Sequence, residues 1–186
     1  MIVSGANKFA WKAEDGMIIT RLPSHGTLLE MARRYPDMDT QVCEAYLRVL
    51  RTGMVLHHCL ERSLARLGLS YGRFMLLCLL KQGQEPVPVC KLAGMAGVTT
   101  PTVSAVLAGM ARDGLVERLE DASDKRVVRI GLLPAGQSVL DDVLPGHFVQ
   151  QTEVMRGLEP DELNQLVTLL AKVRLDAGYC SKEFTR

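Results

Sequence analysis

The stretch 101-PTVSAVLAGMARDGLVERLEDASDKRVVRIGLLPAG-136 reads as a helix, an abrupt stop and a two-stranded hairpin. Thr100 before Pro101 is a helix start, a hydroxyl cap followed by a proline where the missing N–H costs nothing. The spacing predicts a helix to about Asp113, and Gly114 supplies the left-handed residue that ends it. Beyond it, the apolar runs Leu115–Leu119 and Val127–Leu132 flank a knot of charge from Asp121 to Arg126. That pattern predicts a hairpin with Lys125 and Arg126 at its tip. Upstream, a short helix over about 88–95 and the turn 96-AGVT-99 precede the capped helix. Two short helices joined by a Gly-containing turn form a helix-turn-helix, and the hairpin after them makes a winged helix.

A helix of this kind fits the major groove of DNA, which is about 12 Å wide, with its N-terminal residues at the base edges. Thr99, Thr100, Thr102 and Ser104 lie at that end. Their hydroxyls suit phosphates and bases, and a helix N-terminus favours a phosphate. The hairpin then reaches toward the adjoining minor groove, where the potential is most negative. Arg126 is the better cation for that role, since guanidinium is more weakly hydrated than the ammonium of Lys125. Asp124 is placed to hold the tip in shape, and Arg118 adds a charge on the first strand. The window 112–130 carries five basic and five acidic residues, so the DNA reading rests on geometry rather than on a basic patch.

Moving outward, residues 1–38 are irregular, with a short helix expected over 27-TLLEMARRY-35 that Pro36 stops. Asp39 or Thr40 caps the next element, in which apolar residues at 42, 46, 49, 50, 54, 56, 60, 64 and 67 keep helical spacing. So long a stripe needs a partner, and a second copy of the chain is the expected one. Ser70 caps a further helix, about 71–82, apolar nearly all round and so buried. Gln82–Pro88 reads as a loop. After the hairpin, Pro134 begins a helix expected to break around Pro145–Gly146, and a last helix spans about Pro160 to Asp176.

Composition is ordinary for a globular protein of 186 residues: 47% hydrophobic, 23% charged, net charge +1. The start, MIVSGANKFAW, has no apolar core long enough for a secretory signal, and the run 74-FMLLCLL-80 is far short of a membrane span. Five cysteines, at 43, 59, 78, 90 and 180, are odd in number and form no CxxC pair, which points to a reduced, cytoplasmic protein.

Several motifs yield to plainer readings. The string 68-GLSYG-72 fits a nucleophile elbow, but a helix precedes it and Ser70 serves as a cap. His57, His58 and Cys59 are adjacent on a helix and point about 100° apart, so they cannot share one ion. A zinc site would need ligands from elsewhere, such as His25 or His147, and the expected reading is ordinary core or interface residues with no metal. Cys59, Cys78 and Cys90 read as core. Cys43 sits in the first turn of the long helix, where the dipole favours an anion, and is the redox candidate. Trp11 pins the leader to the body or closes a ligand pocket. There is no phosphate loop, dinucleotide fingerprint, HExxH or paired-carboxylate arrangement, so no enzyme and no cofactor is expected.

The run 101–136 resembles the MarR family of transcriptional regulators in Gly114, Leu115, Val116, Arg118, Asp124, Arg126, Leu132 and Gly136. The order of helices extends the resemblance over residues 40–176. It departs from the family at Ala105, where an arginine is common, and at Leu133, usually threonine. The leader 35-YPDMDT-40 looks like the N-terminally extended branch with urate-responsive members. The resemblance implies a mainly α fold with a small β wing, its first and last helices forming a homodimer. It divides the chain into an extension, 1–38, a dimerisation domain, 39–67 plus 137–180, and a winged helix, 68–136. It implies a repressor on a palindromic double-stranded operator, released by a small aromatic or phenolic effector. The effector would lie near Met54, His57 and His58 on the long helix and Tyr71 and Met75 on the next. The alternatives are thiol sensing through Cys43 and a winged helix that binds protein instead of DNA.

Overall fold

The structure is a computed structural model that describes residues 11–12, 18–19, 21–83, 85–121 and 123–173. The leader carries a short antiparallel ladder, β1 (Trp11–Lys12) on β2 (Ile18–Ile19), where the sequence suggested only irregular chain. The Trp11 side chain and Cys180 lie outside the described residues.

Helix α1 (His25–Arg34) starts earlier than expected, because the Ser24 hydroxyl accepts the Thr27 N–H. Helix α2 (Thr40–Arg66) is capped by Asp39, whose Oδ1 accepts the N–H groups of Gln41 and Val42 at 2.8 and 3.0 Å. Gly68 then turns the chain at φ +70°, and α3 (Tyr71–Gln82) begins under its Ser70 cap. Ser70 is thus the helix cap expected of it.

The segment expected to be a loop over Gln82–Pro88 ends in a strand, β3 (Val87–Pro88). Helix α4 (Val89–Ala96) ends at Gly97, in the left-handed region at φ +66°. Helix α5 (Thr100–Arg112) follows, then β4 (Val116–Glu120) and β5 (Val128–Leu132). The cap of α5 is Thr99, not Thr100: its hydroxyl accepts the Thr102 N–H, and Pro101 falls in the first turn. Both residues are threonines before a proline, so composition alone does not choose between them. The sheet order is β3-β5-β4, all antiparallel, with Ile130 opposite Val87 on one side and Arg118 on the other.

Helix α6 (Pro134–Met155) does not break at Pro145–Gly146. A proline removes one backbone hydrogen bond, and the helix continues past that loss. Helix α7 (Pro160–Lys172) closes the described chain with a capping box between Glu159 and Glu162.

The chain falls into two compact units, Met1–Leu140 and Asp141–Arg186. In the first, Leu77 of α3, Leu92 of α4, Leu107 and Met110 of α5 and Ile130 of β5 are all 0% exposed. Side chains of this size each contribute about 1.5–3 kcal/mol on burial, and they fix α5 and the hairpin to one scaffold. The stripe of α2 behaves differently. Among its apolar residues Leu64 is buried, while Val42, Tyr46, Val49 and Leu50 are exposed. In the second unit, α7 has no buried residue and exposes Val167, Leu169 and Leu170. Cys59 and Cys90, expected in the core, are exposed, and Cys78 is half-buried. Their helices are apolar enough to suggest burial, but Cys59 and Cys90 fall on outer faces. No described helix is long and apolar enough to cross a membrane.

Candidate nucleic-acid interface

The geometry of α4 and α5 follows from their buried positions. Val89, Leu92 and Ala93 recur at helical spacing on α4, as do Val103, Leu107 and Met110 on α5. Burying both stripes in one core leaves the helices bent by 110°, within the range of a helix-turn-helix. Thr99, Thr100 and Thr102 are exposed at the outer end of α5, and Ser104 is half-buried. The Thr99 and Thr102 hydroxyls bond each other at 2.8 Å. Two charged side chains fix the far end of α5. Arg73 of α3 pairs with Asp113, its cap residue, at 2.6 Å. The same guanidinium covers Gly109, where a Cβ would sit 3.0 Å from it.

The wing is organised from below its tip. Asp121, 8% exposed, directs Oδ1 at the Ser123 hydroxyl and at the N–H groups of Ser123 and Asp124, the latter two at 2.8 and 3.1 Å. Its Oδ2 pairs with Arg129 Nε. Arg129 also donates from Nη1 to the Pro86 carbonyl at 3.0 Å, tying the hairpin to the chain just before β3. The hydrogen bond from the Ser123 hydroxyl, then the Arg129 guanidinium, then the backbone donors hold the Asp121 carboxyl far below the usual carboxylate range. At the tip, Asp124 Oδ1 accepts the Arg126 N–H at 2.9 Å, and the Val127 N–H donates to the Asp124 carbonyl. Lys125 and Arg126 are exposed at this turn, and Arg118 is exposed on β4. Asp124 therefore bonds the wing backbone, in the role read for it.

The tie through Asp121, Arg129 and Pro86 is only partly visible in the sequence. The Asp-x-Ser spacing over 121–123 is a local signal for a side-chain turn. The link from Arg129 to Pro86 spans 43 positions and has no local signal.

The MarR family pattern matches residues 69–128. The HTH-type transcriptional repressor YetL of Bacillus subtilis (strain 168) is 32% identical over 155 residues, spanning 83% of this chain and 93% of that protein. The chain belongs to the MarR family. Among solved MarR structures, AbsC from Streptomyces coelicolor is 25% identical, superposes with a TM-score of 0.66, and the match covers 72% of this chain and 90% of that one. The M. tuberculosis transcriptional regulator MOSR, solved in complex with DNA, is 28% identical with a TM-score of 0.54, over 67% of this chain and 92% of its own. MarR proteins are DNA-binding transcriptional regulators of winged-helix type, and the fold described above is of that type.

The other residues singled out from this MarR sequence lie on α2 and α3. His57 and Tyr71 meet edge to face, their ring centres 4.5 Å apart, and His57 Nε2 is 3.3 Å from Glu61. Met54, His58 and Met75 are half-buried on the same two helices. Cys43, in the first turn of α2, is half-buried, and its N–H donates to the Asp39 carbonyl. Among the described residues, no cluster of three or more His, Cys, Asp or Glu side chains has metal-binding geometry.

Proposed function

We propose that this MarR protein is a homodimeric repressor that binds a palindromic operator and is released by a small aromatic or phenolic effector. One arrangement carries the reading: α5 projects from the α4–α5 bend with an uncharged N-terminal face, beside a wing whose tip is braced through Asp121 and Asp124. Thr99, Thr100, Thr102 and Ser104 then face the major groove. Arg126 enters the minor groove, with Lys125 and Arg118 on flanking phosphates.

The dimer is supported by apolar faces that the single chain leaves open, on α2 and on α7. Residues 39–67 and 137–180 would form the dimerisation domain and 68–136 the DNA-binding domain. The similarity to a repressor, YetL, supports repression. For the effector, the edge-to-face pair of His57 and Tyr71, flanked by Met54, His58 and Met75, offers an aromatic surface with polar handles where α2 turns into α3. An effector there shifts DNA affinity only by its preference for one arrangement of the two α5 helices, typically about 1–3 kcal/mol. The regulator acts in the cytoplasm, where the operator DNA lies.

Sedimentation of the full chain, alone and with duplex selected from a randomised library, tests this reading. A dimer at micromolar concentration, and two chains per duplex, is the expected result. A folded monomer that binds DNA one chain at a time would refute the dimeric reading.

A further inference from the structure

The exposed face of α5 is unusual in what it lacks. From Gly97 through Ala111 the chain has no Arg, Lys, Asn, Gln, Asp or Glu. Those are the side chains that distinguish guanine, adenine or cytosine by hydrogen bonds in the major groove, whereas Ser and Thr hydroxyls bond to any base. The one cation of α5, Arg112, stands at its C-terminal end, twelve residues and about 18 Å from Thr100. Its guanidinium lies back toward Gly109, 3.9 Å from where a Cβ would be. Lys91 is on the other helix of the motif.

Apart from the threonine hydroxyls at its N-terminal end, what the face presents is apolar. Pro101, Ala105 and Ala108 are exposed at i, i+4 and i+7, one stripe along the helix. Val98, 46% exposed, extends the stripe into the preceding turn. The hydroxyls of Thr99 and Thr102 beside it bond each other, and the hydrogen-bonding capacity they keep, like that of Thr100, serves any base and singles out none. Small apolar groups have one partner among the base edges of the major groove, the C5 methyl of thymine.

We infer that α5 reads thymine methyl groups, so that each half-site is specified by A·T pairs presenting thymine to Pro101, Ala105 and Val98 rather than by guanine. This rests on the placement of α5 in the major groove proposed above. It assigns to Ala105 a part in specificity. Short alanine and proline side chains also let the helix sit deep in the groove, where the methyl groups lie.

The test uses the full chain and the duplex it selects from a randomised library. Deoxyuridine replaces thymidine at one position at a time, which removes the methyl and leaves pairing unchanged. 7-Deazaguanine replaces guanine in the same half-sites, which removes the N7 acceptor. Each contacted thymine should cost about three- to fourfold in affinity, the worth of one buried methyl. Thymines beneath the wing should be silent, because the methyl lies in the other groove. The 7-deazaguanine duplexes should bind within about twofold of the parent. If uracil is silent at every half-site thymine while 7-deazaguanine costs about tenfold or more, the inference is overturned and α5 reads guanine. If the full chain enriches no sequence at all, the groove placement of α5 fails, and the inference fails with it.

Discussion

Gly136 lies in the first turn of α6, buried, and a methyl group there has nowhere to go. A Cβ on it would run into the carbonyl oxygen of Leu115 and stand 2.8 Å from Leu132 Cδ1. That carbonyl also accepts the Leu133 N–H at 3.1 Å, which closes the base of the wing. Gly136→Ala must therefore move α6 off the hairpin base. Overpacking of this kind costs about 1–3 kcal/mol. Strain on the Leu133–Leu115 hydrogen bond adds about 0.5–1.5 kcal/mol, and the better helix propensity of alanine returns about 1 kcal/mol. The net loss is about 0.5–3.5 kcal/mol, a fall in Tm of roughly 1–14 °C for a chain of this size. Gly94→Ala is the matched control: it lies within α4, and a Cβ there meets nothing within 4 Å. That variant should melt at or slightly above the parent. Thermal melts followed by circular dichroism decide the matter. A Gly136→Ala protein as stable as Gly94→Ala would refute the close approach of α6 to the wing.

Asp121→Asn should flatten the acid limb of stability. The folded carboxyl is depressed below its ordinary value of 3.8, so its stabilising contribution is complete above that value and is lost as pH falls through it toward the folded one. Melts between about pH 5 and pH 3 should fall more steeply for the parent than for the variant, and parallel curves would count against the Asp121–Arg129 brace. Cys43→Ser separates the two candidate switches. With a small-molecule effector, parent and serine variant respond alike to peroxide in an operator-binding assay. Release of the parent alone by peroxide would make the Cys43 thiol the switch.

Local chemistry made much of this fold legible. Asp39 and Ser70 are short polar residues placed before apolar stripes, and each caps the helix expected of it. Gly114 has φ +69°, and only a glycine adopts that freely. The hairpin was readable because two alternating runs flank a charged turn. What stayed hidden was set by distant partners. The strand Val87–Pro88 exists because Ile130 and Arg129 pair with it. Arg129 looks like any strand arginine until Asp121 and Pro86 are brought beside it. Cys59 and Cys90 share apolar helices with core residues, and only the packing of those helices decides which face is outside. In the proposed DNA surface, residue types and chain order pointed to α5 and the wing tip, while the bracing of that tip required the folded structure.

The most direct test of the account is the salt dependence of operator binding by Arg126→Ala. Arg126 is exposed at the wing tip and its backbone is fixed by Asp124, so truncation should leave the fold intact. Fluorescence anisotropy on the selected duplex, at several salt concentrations, gives both affinity and slope. The account predicts binding weaker by about 1–3 kcal/mol and a log–log salt slope smaller by about one, with an unchanged Tm. Parent affinity and parent slope in the variant would mean that the wing tip does not touch DNA, and would contradict the account at its centre.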